Sequence, residues 1–273
     1  SIRFDYSKGD GFTQVRTIHE RIKIYNKEGF GWATKKVRLY NKQNSESEKL
    51  YKIKAYTYNL VDGKVKDDKL KNDGVFDEDL NKFWKVKSFT MPNIKEGCIL
   101  EFTYEISSPY LAIDDLELQY TIPINVLETV VKTPEYFLYN KVLNPQSSFL
   151  PKITESKSSK SESVTNSTVS QNSSGVASYY NSSTNRFSIN ENVIKIDETE
   201  IPALKEESFV DNLGNYIAKL KLELVALNYP NKPYQNLLGS WDDVTKTIYD
   251  SDDFGLQLGK SNYYEDDINA LIG

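Results

Sequence analysis

Residues 89–109 read Phe-Thr-Met-Pro-Asn-Ile-Lys-Glu-Gly-Cys-Ile-Leu-Glu-Phe-Thr-Tyr-Glu-Ile-Ser-Ser-Pro, and this stretch decides the fold class. From Cys98 onward, Cys98, Leu100, Phe102, Tyr104 and Ile106 fall on one side of an extended chain. Ile99, Glu101, Thr103, Glu105 and Ser107 fall on the other. Successive side chains leave a sheet on opposite faces, so a period of two specifies a half-buried β-strand. Pro92 has no N–H to give to a ladder and Gly97 suits a turn with positive φ. Residues 92–97 are therefore expected to form a connector outside the sheet.

Upstream, residues 15–25 alternate, with Ile18, Ile22 and Ile24 on one face and Thr17, Arg21 and Lys23 on the other. Asn26-Lys27-Glu28-Gly29 is turn chemistry, which predicts that residues 30–40 return as the hairpin partner. Residues 50–59 are strand-like and rich in Tyr, and Asp62-Gly63 is a turn signal. Residues 65–81 are mostly charged and are expected to cross the surface, after which residues 83–89 lead into the central stretch.

Downstream, residues 116–120 alternate up to Pro123, residues 126–133 are rich in β-branched side chains, and residues 136–143 follow Pro134. Composition then shifts to Ser, Asn, Thr and Lys over residues 156–183. A segment this polar buries too little to offset its ordering entropy, so a flexible surface hairpin or linker is expected, with an exposed two-stranded arm as the alternative. Strand character returns at residues 185–196, followed by Ile201-Pro202-Ala203-Leu204. In residues 216–227, Tyr216, Ala218, Leu220, Leu222, Leu224 and Ala226 face one way, while Lys219, Lys221 and Glu223 face the other.

Helix chemistry enters only near the end. Ser240 followed by Asp243 matches a capping box, and Trp241, Val244, Thr245 and Ile248 share one helical face. Asn262 is placed to cap a second short helix carrying Tyr264, Ile268 and Leu271. Strands first and helices last, without βαβ alternation, predict a mainly β fold: a large antiparallel β-sandwich, a supersandwich or two packed β-subdomains, with short C-terminal helices. Residues 1–239 are expected to form the sandwich module. Residues 240–273 are expected to form a helical segment leading to a further domain, with Trp241, Val244 and Ile248 as interdomain packing residues.

Composition excludes several function classes. A chain of 273 residues can bury a sizeable core, and a net charge of −5 with 27% charged residues describes a mixed, mildly acidic surface. That balance argues against nucleic acid as a partner. No apolar run approaches the roughly 18 residues of a membrane helix. One cysteine and one histidine exclude an intramolecular disulfide and a zinc ligand set, and no calcium loop is present. Asp252-Asp253 and Glu265-Asp266-Asp267 stand at helix starts, where carboxylates are favoured in any case. No phosphate loop, nucleophile elbow or His-Glu-x-x-His occurs.

Cys98 opens an apolar strand face, which reads as a small buried hydrophobe rather than a nucleophile. His19 shares its face with charged residues and reads as a surface or strand-pairing histidine. The residues thus assign no catalytic, cofactor or metal role. The 19 Tyr, 12 Phe and 3 Trp read chiefly as core and cross-strand pairs. The functional alternatives are an exposed Tyr/Trp platform for glycan or peptide, and a carboxylate pair for hydrolysis.

The central stretch resembles the domain of unknown function (DUF3857-like) that precedes transglutaminase-like domains in exported Bacteroidetes proteins. The resemblance is carried by residues 89–109, then Gln119-Tyr120-Thr121-Ile122-Pro123, Ile53-Lys54-Ala55-Tyr56-Thr57-Tyr58-Asn59 with Gly63-Lys64, Ile201-Pro202-Ala203-Leu204 with Glu206, and Ser240-Trp241 through Phe254-Gly255. Cys98 stands where that family more often has Ser, Leu118 where it often has an aromatic, and residues 156–183 are the least family-like segment. The resemblance implies a β-rich module without catalytic residues of its own. A downstream domain with a papain-type Cys-His-Asp triad would be its partner, while polysaccharide or peptide is the ligand expected of the aromatic platform. Ser1 in place of Met and the apolar ending Ala270-Leu271-Ile272-Gly273 lead to the expectation of a piece cut from a longer protein. That protein is expected to be exported and periplasmic, with its targeting segment removed.

Overall fold

Residues Ile99–Ser108 form a strand in which burial alternates residue by residue along its whole length. Leu100, Phe102, Tyr104 and Ile106 are buried together with Cys98 just before them. In the computed structural model, which describes residues 1–7, 11–41, 47–171, 178–206, 210–252, 254–258 and 265–272, this strand lies inside the largest of three sheets.

In chain order the strands are β1 (Ile2–Ser7), β2 (Gly11–Lys23), β3 (Thr34–Tyr40), β4 (Lys49–Val61), β5 (Lys64–Lys69), β6 (Val75–Asn81), β7 (Trp84–Thr90), β8 (Ile99–Ser108), β9 (Leu116–Glu117), β10 (Ile124–Pro134), β11 (Phe137–Leu143), β12 (Ile153–Gln171), β13 (Ser178–Ile201), β14 (Lys219–Leu227) and β15 (Gln235–Asn236). Helices α1 (Trp241–Tyr249), α2 (Gly255–Leu258) and α3 (Glu265–Ile272) follow. The expected class, mainly β with antiparallel sheets and short C-terminal helices, is the observed one.

The large sheet has the order β12-β13-β10-β1-β2-β8-β4-β5, and a second sheet has the order β3-β7-β6. Among the described residues of these two sheets, every pairing is antiparallel except β1 with β10, which run parallel and meet at Ile2 and Val131. The core between these two sheets gathers Leu100, Phe102, Tyr104 and Ile106 of β8 with Val37, Leu39, Phe89 and Met91. Phe89 packs edge-on against Phe102 at 5.5 Å and Tyr104 at 6.0 Å. The connector before β8 lies outside the sheets, with Gly97 at φ +82°, as Pro92 and Gly97 require.

The chain divides into two compact units, Ser1–Glu135 with Lys141–Glu223, and Tyr136–Asn140 with Leu224–Gly273. Both sheets named above belong to the first unit. In the second, Tyr229 packs against Tyr136 and Phe137, each ring at 5.8 Å. There α1 starts with the predicted capping box, Asp243 N–H donating to Ser240 Oγ at 3.1 Å and Ser240 N–H to Asp243 Oδ2 at 2.8 Å. Asn262 and Tyr264, predicted to open the last helix, lie outside the described residues.

Three expectations are corrected. Residues 30–40 are not the hairpin partner of β2, because β3 pairs with β7, while β2 lies between β1 and β8. The turn chemistry at Asn26 instead caps a 3-10 helix at Lys27–Ala33, Glu28 N–H donating to Asn26 Oδ1 at 3.1 Å. That helix carries the chain from one sheet to the other, so that Val37 and Leu39 join the same core as Leu100.

Residues 65–81 form strands β5 and β6 rather than a surface crossing. Both are edge strands, where one ladder suffices and charge guards the open edge, so no apolar alternation is needed. Only Leu116–Glu117 of residues 116–120 pairs as a strand. The ladder stops because the buried Gln119 side chain takes over its bonds, donating to Pro202 O at 3.0 Å and accepting from Ala218 N–H at 3.4 Å.

Residues 156–171 and 178–183 belong to β12 and β13, a two-stranded antiparallel arm in register from Ile153↔Ile196 to Gln171↔Ser178; residues 172–177 lie outside the described residues. The arm's base is tied to β1: Lys160 Nζ lies 2.8 Å from Asp5 Oδ1, and Phe187 packs edge-on against Tyr6 at 5.4 Å.

Candidate functional site

The outward face of β2, β8, β4 and β5 is built by register. Arg21, Glu101, Tyr56 and Lys69 form one row across the four strands, and Lys23, Ile99, Tyr58 and Asp67 form the next. His19 and Lys54 flank Thr103 in a third row. Because β8 turns its even-numbered residues into the core, its odd-numbered ones are all presented here.

Glu101 is the hub of this face. Its Oε1 lies 2.9 Å from His19 Nε2 and 2.9 Å from Arg21 Nη2, with Tyr56 as its cross-strand neighbour. The His19 bond, then the Arg21 bond and charge, hold the Glu101 carboxyl below its ordinary value against the opposing effect of burial. Burial first, and then the charge of Glu101, push the Tyr58 phenol above its own. The Tyr56 and Tyr58 rings stack side by side, centroids 6.1 Å apart and planes 23° from parallel.

A bulge between Tyr51 and Lys54, with Lys52 at φ +56°, swings Lys52 onto Glu105 at 3.0 Å. Lys54 and Lys69 form no ion pair among the described residues. The face thus sets Arg21, Lys23, Lys52, Lys54 and Lys69 against Glu101, Glu105 and Asp67, a cationic excess on a chain of net charge −5.

Cys98 and His19, the lone thiol and lone imidazole, are kept apart. Cys98 is buried in the core, paired with Ile24 through its carbonyl at 2.9 Å. His19 lies five residues earlier on β2, its side chain 57% exposed on the opposite face of the sheet. Cys98 and His19 therefore do not form a nucleophile–base pair.

Glu48 and Asp114 converge on the Arg16 guanidinium, at Nη2 and Nη1 respectively. The cation between them fills the space that a water or a scissile bond would need. No cluster of three or more potential metal ligands occurs among the described residues. A cavity of about 350 Å³ at the β4 bulge is lined by Tyr51, Lys52, Ile53, Leu70, Lys71, Asn72 and Val75, without a carboxylate or imidazole. No helix among the described residues is long and apolar enough to cross a membrane.

Trp241, Val244 and Ile248 are 85%, 42% and 48% exposed, and α1 has no buried residue. The Tyr56/Tyr58 pair and its cationic surround were not singled out from sequence. The signal was present in the alternation of residues 50–59, which puts both rings on the face of Glu101 once β4 and β8 are paired.

No protein-family model and no curated protein matches this chain. Among solved structures, a protein described as a candidate protease from Parabacteroides distasonis ATCC 8503 shares the fold, with a TM-score of 0.52 and 14% identity over 80% of this chain. The likeness is one of fold alone, and this chain spans 38% of the length of that one.

Proposed function

We propose that this chain is a non-catalytic β-sandwich module of an exported bacterial protein, of the kind that precedes transglutaminase-like domains. It positions, or presents substrate to, a downstream domain of transglutaminase or papain type. The observation that carries this reading is α1. A helix of nine residues with an apolar side is marginal in water by itself and gains its stability from packing. Here Trp241, Val244 and Ile248 stand uncovered, as expected of a face that receives another domain.

Two further observations support the reading. A similar fold makes up a minor part of a longer chain described as a candidate protease, and the single thiol is buried away from the single imidazole.

The test is acrylamide quenching of Trp241 fluorescence in a Trp32→Phe/Trp84→Phe background, comparing this chain with the full-length protein. Quenching should fall severalfold in the longer protein. Equal quenching in both, or peptidase or acyl-transfer turnover by this chain alone, overturns the proposal.

A further inference from the structure

We propose that the outward face of β2, β8, β4 and β5 binds an acidic saccharide, a sugar chain carrying carboxylate or sulfate groups. The inference is independent of the accessory reading, because it concerns binding by this chain alone.

The ring pair comes first. Tyr56 and Tyr58 lie two apart on one strand and are stacked at 6.1 Å, close to the rise of one pyranose along a linear glycan. Two near-parallel rings on an outward sheet face can pack against the C–H faces of sugars without needing a pocket. The two rings support each other, and beside them Glu101 is fixed by His19 and Arg21. The platform is therefore set before a ligand arrives, and binding costs little side-chain ordering.

Charge selects the acidic class. Lys54 and Lys69 flank Tyr56 on either side with no ion pair among the described residues, and Arg21 is 64% exposed beside Glu101. Ammonium and guanidinium groups next to stacking rings recognise carboxylate or sulfate on the sugar ring. An acidic peptide fits less well. The backbone groups of β2, β8 and β4 are committed to ladders on both sides, so a peptide strand could add only at the free edge of β5, one strand away from the rings.

Affinity electrophoresis of this chain tests the proposal, with polygalacturonate, dextran sulfate, neutral dextran or polyglutamate cast in the gel. Retardation is expected with polygalacturonate, with dextran sulfate or with both, the two arms separating carboxylate from sulfate recognition, and not with neutral dextran. Tyr56→Ala/Tyr58→Ala should weaken retardation about tenfold. Lys54→Glu/Lys69→Glu, at exposed positions that leave the fold intact, should weaken it at least as much and flatten its salt dependence. Failure of both acidic glycans to retard the chain overturns the proposal, as does retardation unchanged in the Lys54→Glu/Lys69→Glu variant. Stronger retardation by polyglutamate than by either glycan assigns the face to acidic peptide and also overturns it.

Discussion

Replacing Phe102 by Ala tests the alternation on which the fold rests. Phe102 is 1% exposed in the middle of β8, edge-on to Phe89 at 5.5 Å, near-parallel to Tyr104 at 6.2 Å, with the Lys35 ammonium 5.5 Å from its ring. Deleting a buried phenyl ring from a site walled by two sheets leaves a cavity that these neighbours cannot collapse into. The expected loss is about 3–5 kcal/mol. Thr103, one residue along, points to the opposite face between His19 and Lys54, so Thr103→Ala should cost within about 0.5 kcal/mol.

Urea unfolding followed by the fluorescence of Trp32 and Trp84, in a Trp241→Phe background, reports on the first unit alone. The denaturant midpoint should fall with little change in slope. A loss below about 1 kcal/mol for Phe102→Ala, or equal losses for the two variants, refutes the placement of β8 as an inner strand with one dry face.

Three further outcomes follow from the geometry. Glu101 has a folded-state carboxyl value below its unfolded one, so its contribution to stability is complete above the unfolded value and is lost as pH falls through the folded value. Glu101→Gln should therefore destabilise the protein by about 0.5–1 kcal/mol at pH 7, a difference that closes in melts taken at increasingly acidic pH below about 4.5. The Cys98 thiol, 1% exposed, should resist Ellman's reagent in the native state and react at a rate that rises with urea, tracking opening of the sheet; rapid native labelling refutes its burial. Ser240→Ala removes one partner of the capping box and should cost α1 about 1 kcal/mol, read as a higher trifluoroethanol concentration for half-maximal helix in a peptide spanning residues 238–252.

Local chemistry made much of the fold legible. The period of two in residues 98–107 fixed β8 and its buried face, Pro92 and Gly97 fixed the connector, and Ser240 with Asp243 fixed the start of α1. Partner choice was not legible in the same way. A strand's own pattern says which of its faces is buried but not which strand lies beside it. Asn26-Lys27-Glu28-Gly29 therefore read as a hairpin turn, whereas Asn26 caps a 3-10 helix that moves the chain to another sheet. Edge strands carry the weakest signal, because β5 and β6 need neither a dry face nor a second ladder, and their Lys and Asp residues read as loop.

The outward site was hidden for a related reason. Tyr56, Glu101 and Arg21 come from three separated stretches, and only the register of β4, β8 and β2 aligns them.

Strand β13 belongs to two structures at once. Its first half is half of the arm, and its second half is laddered to β10 from Glu191 to Ile201. A tug along the arm therefore has no joint at which to dissipate. It reaches β10 as shear, and hydrogen bonds that stand perpendicular to the strands share such a load instead of parting one by one. A pull on the arm is therefore expected to load the β10–β13 ladder as a unit.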